Sequence, residues 1–182
     1  MKTVFVDVDT QLDFMYPAGA LYVPGAETIV DRVGALNRYA ASHQLPVIST
    51  VDAHSEDDPE FTIWPHHCVV GTTGQQKCAA TLLDKNARQI IVEKQTIDPF
   101  VNTRLPEILH ELAADRYVVY GVVTEICVRL AALGLRKTGA QVEIVTDAIR
   151  SLTDEASAKA LAELTAAGCT LTTAPSILGA RS

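Results

Sequence analysis

The stretch YVVYGVVTEICV, residues 117–128, decides the fold. Its first four residues are aromatic or β-branched, which predicts a short strand. Thr124 follows as a helix start, and the helix pattern carries Cys127 and Leu135 before Gly139 ends it. An apolar strand that passes directly into a helix is typical of the βαβ unit.

The same alternation of short apolar runs and longer helical patterns continues in both directions along the chain. Strands are predicted over residues 4–6, 46–51, 89–93, 117–120, 142–145 and 170–172, and helices over 27–43, 103–114, 124–139 and 153–168. Strands that are apolar on both faces are typical of parallel sheets with helices on both sides. We therefore predict a three-layer α/β/α fold with a doubly wound six-stranded parallel sheet, in one domain over residues 1–182.

The composition excludes several classes of protein. The chain has 182 residues, with 15 Lys and Arg against 22 Asp and Glu, and a formal net charge of −7. An acidic chain without a basic cluster is not typical of nucleic-acid binding. No apolar run approaches the roughly 18–20 residues of a membrane span, and residues 1–3 lead into a strand rather than a signal peptide. We expect a cytoplasmic protein with a small-molecule partner, and neither nucleic acid nor membrane.

The four cysteines are spread along the chain without a CxxC pair. A chain long enough for a large core, with no secretion signal, is expected to keep its thiols reduced. Cys78 and Cys169 lie among small apolar residues, which is typical of packing cysteines. Cys68 and Cys127 have more varied surroundings, so they are the candidates for a nucleophile.

Charged and nucleophilic residues follow the predicted strands at the points where those strands end. Asp9 follows the first strand, Lys94 the third, and Cys127 the fourth. Because parallel strands end at one edge of the sheet, these side chains can meet in one crevice. There Lys94 would lower the pKa of the thiol, and Asp9 would accept its proton. The alternative is a buried Asp9–Lys94 ion pair with a core cysteine.

A second group of polar residues follows the second strand. Asp52-x-His54 is followed by Glu60 and by His66-His67. Two side chains on one side of an extended segment, with a third from the loop, suit coordination of one divalent metal. This oxygen and nitrogen donor set favours zinc, manganese or iron. The other interpretation is a solvated acidic loop with scattered histidines.

Two aromatic residues, Phe14 and Trp64, also lie in loops that follow strands. Such side chains can form the walls of a pocket for a flat ring, or a lid over the core. No GxGxxG sequence follows the first strand, which argues against a dinucleotide-dependent oxidoreductase.

Five motifs in this order and spacing resemble the isochorismatase-like cysteine hydrolases, and within them the nicotinamidases. The motifs are Asp9-x-Gln11-x-Asp13-Phe14, Asp52-x-His54, Trp64-Pro65-His66-His67-Cys68, Glu93-Lys94-Gln95 and GVVTEICV at 121–128. They cover most of the chain, and the later predicted strands fit the family's fold. The resemblance therefore implies an isochorismatase-like α/β fold with a cysteine hydrolase site.

The resemblance also implies a role for each matching position. The implied catalytic triad is Asp9, Lys94 and Cys127. The implied metal is a divalent ion, often zinc, and its implied ligands are Asp52, His54 and His67, with Glu60 near the position of a further ligand. The implied ring pocket has walls from Phe14, Trp64 and Phe100. The bond between Val122 and Val123 corresponds to a cis peptide, and the amides of Val123 and Cys127 would form the oxyanion hole.

The implied reaction is hydrolysis of nicotinamide to nicotinate and ammonia through a cysteine thioester, in NAD salvage, by a homo-oligomer. Two positions depart from the nicotinamidase pattern and bear on the substrate: Glu125 stands where Asp is usual, and Ile126 where relatives often have an aromatic residue or His. Two alternatives remain. One is another small-amide hydrolase, such as an N-carbamoyl amide hydrolase; the other is a non-catalytic ligand- or metal-binding protein.

Overall fold

Six parallel strands form one sheet in the structure, a computed structural model that describes residues 1–179. The strands are β1 (Thr3–Val8), β2 (Val47–Asp52), β3 (Gln89–Lys94), β4 (Arg116–Val122), β5 (Gln141–Arg150) and β6 (Thr170–Thr172). Their order is β3-β2-β1-β4-β5-β6. The chain thus winds outward from β1 in one direction and from β4 in the other, which confirms the predicted doubly wound parallel sheet. Residues 180–182 of the predicted domain lie outside the described residues.

Helices pack on the sheet in two groups. The helices are α1 (Leu12–Met15), α2 (Val30–Ser42), α3 (Leu105–Leu112), α4 (Arg129–Arg136), α5 (Asp154–Ala166) and α6 (Ala174–Leu178). Helix α2 contacts α6, and α4 contacts α5. Because β1 to β2 and β4 to β5 run in opposite directions across the sheet, right-handed crossovers place α2 and α4 on opposite faces. Among the described residues, no helix is both long enough and apolar enough to cross a bilayer.

Three predicted helices differ from the observed ones at their ends. Residues predicted as the start of α2 form a 3₁₀ turn, Ala26–Ile29. Helix α3 is shorter than predicted, because Ala113 adopts a left-handed conformation with φ 44° and ends it. The helix predicted from Thr124 opens with a π-helical turn, Thr124–Val128, and only then continues as α4. Helix α5 begins where predicted, and Thr153 caps it by accepting a hydrogen bond from the Ala156 N–H.

The central strands are fully buried and hold the core together. Every residue of β1 and β2 is buried, whereas β3 and β6 at the edges are partly exposed. Strand β1 lies very close to β4 at Gly121, which has φ 116°. A Cβ there would lie 2.1 Å from the Val8 carbonyl oxygen. Glycine is therefore required at the point where the two strands converge on the site.

A buried polar network also spans the core, and the sequence patterns did not predict it. The fully buried Asp7 accepts hydrogen bonds from Lys77 Nζ at 2.6 Å and Asn37 Nδ2 at 2.8 Å. Tyr120 in turn donates to Asn37 Oδ1 at 2.5 Å. Lys77 is 70 residues from Asp7 along the chain, so local spacing gives no sign of the pair.

Replacing Lys77 with methionine is expected to destabilise the fold by about 3–5 kcal/mol, because Asp7 would be left as a buried charge without its partner. Urea unfolding monitored by circular dichroism measures this loss. The control is Glu107→Gln, which removes an exposed pair with Arg104 and is expected to cost under ~1 kcal/mol. A loss for Lys77→Met as small as that of the control would contradict the prediction.

Candidate active site

The ends of three strands bring the predicted catalytic residues together. Asp9 follows β1, Lys94 is the last residue of β3, and Cys127 follows β4. Lys94 Nζ lies 2.9 Å from Asp9 Oδ2 and 3.8 Å from Cys127 Sγ. The carboxylate, the ammonium and the thiol therefore lie within contact of one another, as the strand-end pattern predicts.

Asp9 is placed to accept a proton. It is 1% exposed, and its backbone has φ 51°, a conformation that residues other than glycine rarely adopt. Thr50 Oγ1 donates a 2.6 Å hydrogen bond to Oδ1, while Oδ2 makes no well-aligned hydrogen bond with any described residue. Burial raises the pKa of Asp9 above its ordinary value, although Lys94 opposes the shift. Oδ2 can therefore take a proton from the neighbouring thiol.

Cys127 is a buried thiol in the π-helical turn after β4. The sequence predicted that Lys94 would lower its pKa, and Lys94 does lower it. Burial outweighs this effect and raises the pKa of Cys127 well above its ordinary value. The nearby carboxylates of Asp9 and Asp52 raise it further. A neutral thiol at this position would have to pass its proton to a base such as Asp9 before it could attack a ligand.

Lys94 connects the two predicted groups of residues. Its ammonium contacts the carboxylates of both Asp9 and Asp52, and it is 2% exposed. Burial alone would lower the pKa of Lys94, but Asp9, Cys127 and Asp52 raise it well above the ordinary value. Lys94 therefore keeps its positive charge between the two carboxylates.

The three implied metal ligands converge on one point. Asp52 Oδ2 lies 3.7 Å from His54 Nε2 and 3.6 Å from His67 Nε2. These atoms are too far apart for hydrogen bonds and suit three ligands around one ion. His54 Nε2 is buried and has no hydrogen-bond partner among the described residues. The residues therefore fit a divalent metal.

The other ring nitrogen of each histidine is held by a neighbour. His54 Nδ1 lies 3.0 Å from Asp58 Oδ2, and His67 Nδ1 lies 2.7 Å from the Pro65 carbonyl oxygen. Such contacts orient the imidazole so that Nε2 faces the metal position. Lys94 and the two imidazoles hold the pKa of Asp52 far below its ordinary value, against the effect of burial. Its carboxylate is therefore charged and available as a ligand.

Two residues from the predicted metal loop lie outside this trio. Glu60 is half-buried and forms a second acidic cluster with His54 and Asp58. Burial and the charge of Asp52 raise the pKa of Glu60. His66 is exposed and stacks on Phe61 with ring centroids 4.2 Å apart. Glu60 thus lies beside the three converging ligands rather than among them.

Sequence reasoning missed two residues that position the site. Asp58 orients His54, and its spacing of four residues from His54 was the available signal. Gln11 belongs to the motif Asp9-x-Gln11-x-Asp13-Phe14, in which sequence reasoning assigned it no role. Its side-chain amide bonds both the N–H of Asp52, at 2.7 Å, and the carbonyl of Asp52, at 2.8 Å. Gln11 therefore fixes the end of β2, where the candidate metal ligands begin.

An apolar pocket opens beside these groups. Its walls include Phe14, Trp64, Leu21, Val23, Ile97, Ile126 and Leu152, and its polar lining includes Asp9, Asp52, Glu60 and His67. Phe14 and Trp64 are thus both in the pocket. Phe100 does not line it. Phe100 packs instead against Gly134 of α4, where an added Cβ would lie 2.0 Å from its ring.

The pocket ends at the turn that carries Cys127. The peptide bond between Val122 and Val123 is cis, as the resemblance implied. Val123 and Cys127 both line the pocket. The carbonyl of Val123 accepts 3.1 Å hydrogen bonds from the N–H groups of Ile126 and Val128, which fixes this turn. The arrangement is suited to attack by Cys127 on a carbonyl group of a flat, uncharged ligand.

Comparisons with known proteins agree with this geometry. A model of the Isochorismatase domain family matches residues 3–176 of the chain. The nicotinamidase of Escherichia coli (strain K12) is 29% identical to this chain over an alignment 199 residues long. The alignment covers 91% of this chain and 92% of that protein.

Solved structures superpose along almost the whole chain. The pyrazinamidase of Pyrococcus horikoshii, crystallised in complex with zinc, has a TM-score of 0.87 at 30% identity and covers 95% of this chain and 99% of its own. The N-carbamoylsarcosine amidase of Thermoplasma acidophilum has a TM-score of 0.84 at 27% identity and covers 96% of this chain and 97% of its own. The predicted fold is therefore shared with enzymes that act on different amides.

Proposed function

The chain belongs to the isochorismatase domain family, and from this premise we propose that it is a cysteine amidohydrolase that converts nicotinamide to nicotinate and ammonia. One observation carries the proposal: Cys127, Lys94 and Asp9 meet within contact distance at the end of a pocket walled by Phe14 and Trp64. The likeness to the Escherichia coli nicotinamidase supports the same substrate.

The reaction begins with a proton transfer within the triad. Asp9 Oδ2 accepts the proton of Cys127, and the thiolate attacks the carboxamide carbon. The backbone amides of Val123 and Cys127 stabilise the oxyanion of the tetrahedral intermediate. Asp9 returns its proton to the departing ammonia, which leaves a thioester on Cys127. Water then hydrolyses the thioester, which releases nicotinate and restores the thiol.

Lys94 has a positioning and electrostatic role in these steps. Its ammonium contacts Asp9 and lies 3.8 Å from the sulfur. It therefore offsets the negative charge that moves between carboxylate and thiolate, and it does not itself need to lose a proton.

Asp52, His54 and His67 would hold a divalent metal, with zinc first and manganese or iron as alternatives. When bound, the metal would supply a positive charge and a coordination position for the pyridine nitrogen of the substrate. The zinc in the Pyrococcus horikoshii pyrazinamidase supports this assignment. The half-buried Glu60 beside these ligands is a candidate for a further one.

Metal removal is expected to lower ammonia release from nicotinamide by at least about tenfold, as changes around metal ligands commonly do. The measurement compares dialysed, chelator-treated protein before and after zinc is added back. His54→Ala is expected to remain inactive when zinc is added, whereas His66→Ala, an exposed neighbour outside the trio, keeps full activity and full rescue.

Two outcomes of the same experiment would overturn parts of the proposal. If zinc-loaded protein releases no ammonia from nicotinamide, the substrate assignment is wrong. If turnover is the same with and without chelator, the metal has no role in it.

A second candidate substrate class is the N-carbamoyl amides, which the likeness to the Thermoplasma acidophilum amidase favours. The charges that line the pocket argue against N-carbamoyl amides that carry a carboxylate. Its lining includes Asp9, Asp52 and Glu60, and none of the described lining residues is Arg or Lys. Parallel assays with nicotinamide, pyrazinamide and an N-carbamoyl amino acid separate the two candidates by their values of kcat/KM.

The proposal extends to the context of the reaction. We infer that residues 1–182 form one cysteine-hydrolase domain, that the protein works as a homo-oligomer, and that the reaction serves NAD salvage in the cytoplasm. The sequence resemblance supports these points. Light scattering on purified protein tests the oligomeric state.

A further inference from the structure

Glu125 links the turn that carries the nucleophile to a separate loop of the chain. It lies two residues before Cys127 and is half-buried. Its Oε1 accepts a 2.9 Å hydrogen bond from the backbone N–H of Leu152. Its Oε2 is buried and has no partner among the described residues. Burying a carboxylate oxygen without a hydrogen-bond partner costs free energy of folding. The bond that the other oxygen accepts from Leu152 therefore points to a role beyond stability.

The position of Leu152 connects that bond to the pocket. It belongs to the loop between β5 and α5, and its side chain lines the same pocket as Cys127. The residue is 40% exposed, so core packing alone does not hold it in place. The hydrogen bond from its N–H to Glu125 fixes the backbone from which this apolar side chain projects.

The two ends of the loop are also anchored. On one side, Arg150 donates to the Gly25 carbonyl at 3.2 Å and to Thr28 Oγ1 at 2.9 Å. On the other side, Thr153 caps α5. The bond to Glu125 therefore fixes the middle of a short segment whose ends are already held.

We propose that Glu125 is a positioning residue that fixes the loop of Leu152 as one wall of the pocket and so determines how tightly a flat, uncharged amide is held. The inference rests on the proposed function for the identity of that amide, but not for the bond itself. Glu125 touches neither the sulfur nor the carbonyl to be attacked in this scheme. It acts on binding rather than on the chemical step.

Steady-state kinetics of the zinc-loaded enzyme with nicotinamide test the effect on binding. Glu125→Ala is expected to raise KM about tenfold while kcat changes by less than about threefold, the pattern of lost uniform binding. Glu125→Gln keeps an acceptor oxygen for the Leu152 N–H and is expected to retain the KM of the parent. The matched control is Glu163→Gln, which removes a pair between α5 and Arg129 without touching Leu152.

A double substitution tests whether Glu125 acts through Leu152. Leu152→Ala is expected to raise KM, and the double variant with Glu125→Ala is expected to match Leu152→Ala alone. If the two increases multiply, Glu125 acts by another route and the inference is wrong. A fall in kcat with unchanged KM would overturn it equally.

Hydrogen exchange supplies a measurement that does not depend on turnover. The Leu152 amide is expected to exchange at least about tenfold faster in Glu125→Ala than in the parent or in Glu125→Gln. Unchanged exchange would overturn the inference even if the kinetics changed.

If the parent enzyme is inactive on nicotinamide, the proposed function is wrong, but the role of Glu125 can still be tested. The rate at which iodoacetamide, a small neutral amide, alkylates Cys127 then replaces KM. We expect slower alkylation in Glu125→Ala, because the amide is held less tightly, and an unchanged or faster rate would overturn the role in the pocket.

Discussion

Replacing Cys127 with alanine is expected to lower ammonia release from nicotinamide by on the order of 10⁴-fold or more, as loss of the nucleophile does in other covalent catalysts. The remaining residues can still bind the amide, but no thioester can form. Because Cys127 is a small buried side chain, alanine is expected to leave the fold intact. Circular dichroism and a kcat measurement on the same preparation check both points.

The chain offers a matched control for this substitution. Cys169 is also a buried free thiol, next to β6 and away from the pocket. Cys169→Ala is therefore expected to keep the kcat of the parent. If Cys127→Ala retained full turnover, the nucleophile would lie elsewhere or the protein would be a non-catalytic binder. Mass spectrometry of the acid-quenched enzyme tests the thioester directly. The mass of the acyl adduct is expected in the parent and is expected to be absent from Cys127→Ala.

Replacing Asp9 with asparagine is expected to lower kcat by about 10²–10⁴-fold, the usual contribution of a positioned proton acceptor. An amide of the same shape would leave the thiol without a base, and burial raises the pKa of that thiol. The control is Asp84→Asn, an exposed carboxyl in the turn before β3. An Asp9→Asn enzyme with the activity of the parent would exclude Asp9 as the base.

The pH profile gives a second test of Asp9. Only its carboxylate form accepts a proton, and burial raises its pKa. Activity is therefore expected to fall as pH drops through a value above the ordinary aspartate pKa of about 4. The hydrogen bond from Thr50 favours the carboxylate, so Thr50→Val is expected to move this fall to higher pH. A shift to lower pH would contradict the assignment.

The position of the site could be predicted from the sequence because it follows from topology. Apolar runs identified the parallel strands, and the residues at their carboxyl ends had to share one edge of the sheet. Asp9, Lys94 and Cys127 were predicted together on that basis, and the structure brings them together. The family resemblance then supplied the identity of the metal trio and the cis peptide.

Features that depend on three-dimensional surroundings could not be predicted. The direction of the pKa shift at Cys127 depends on burial and on two carboxylates from other strands. Phe100 was placed in the pocket by the resemblance, but its ring packs against α4 instead. The contact of Glu125 with Leu152 joins residues 27 apart. No local spacing predicts such pairs.

The assembly of the site from separate strand ends has a practical consequence. The exposed turn of residues 84–86 divides the chain so that Asp9 and Asp52 fall on one piece and Lys94 and Cys127 on the other. Neither piece alone carries a complete triad, and the interface between the two would be the pairing of β2 with β3 and of β1 with β4. Under the proposed function, the fold would be a scaffold for a split reporter, in which release of ammonia indicates that two fused proteins have associated.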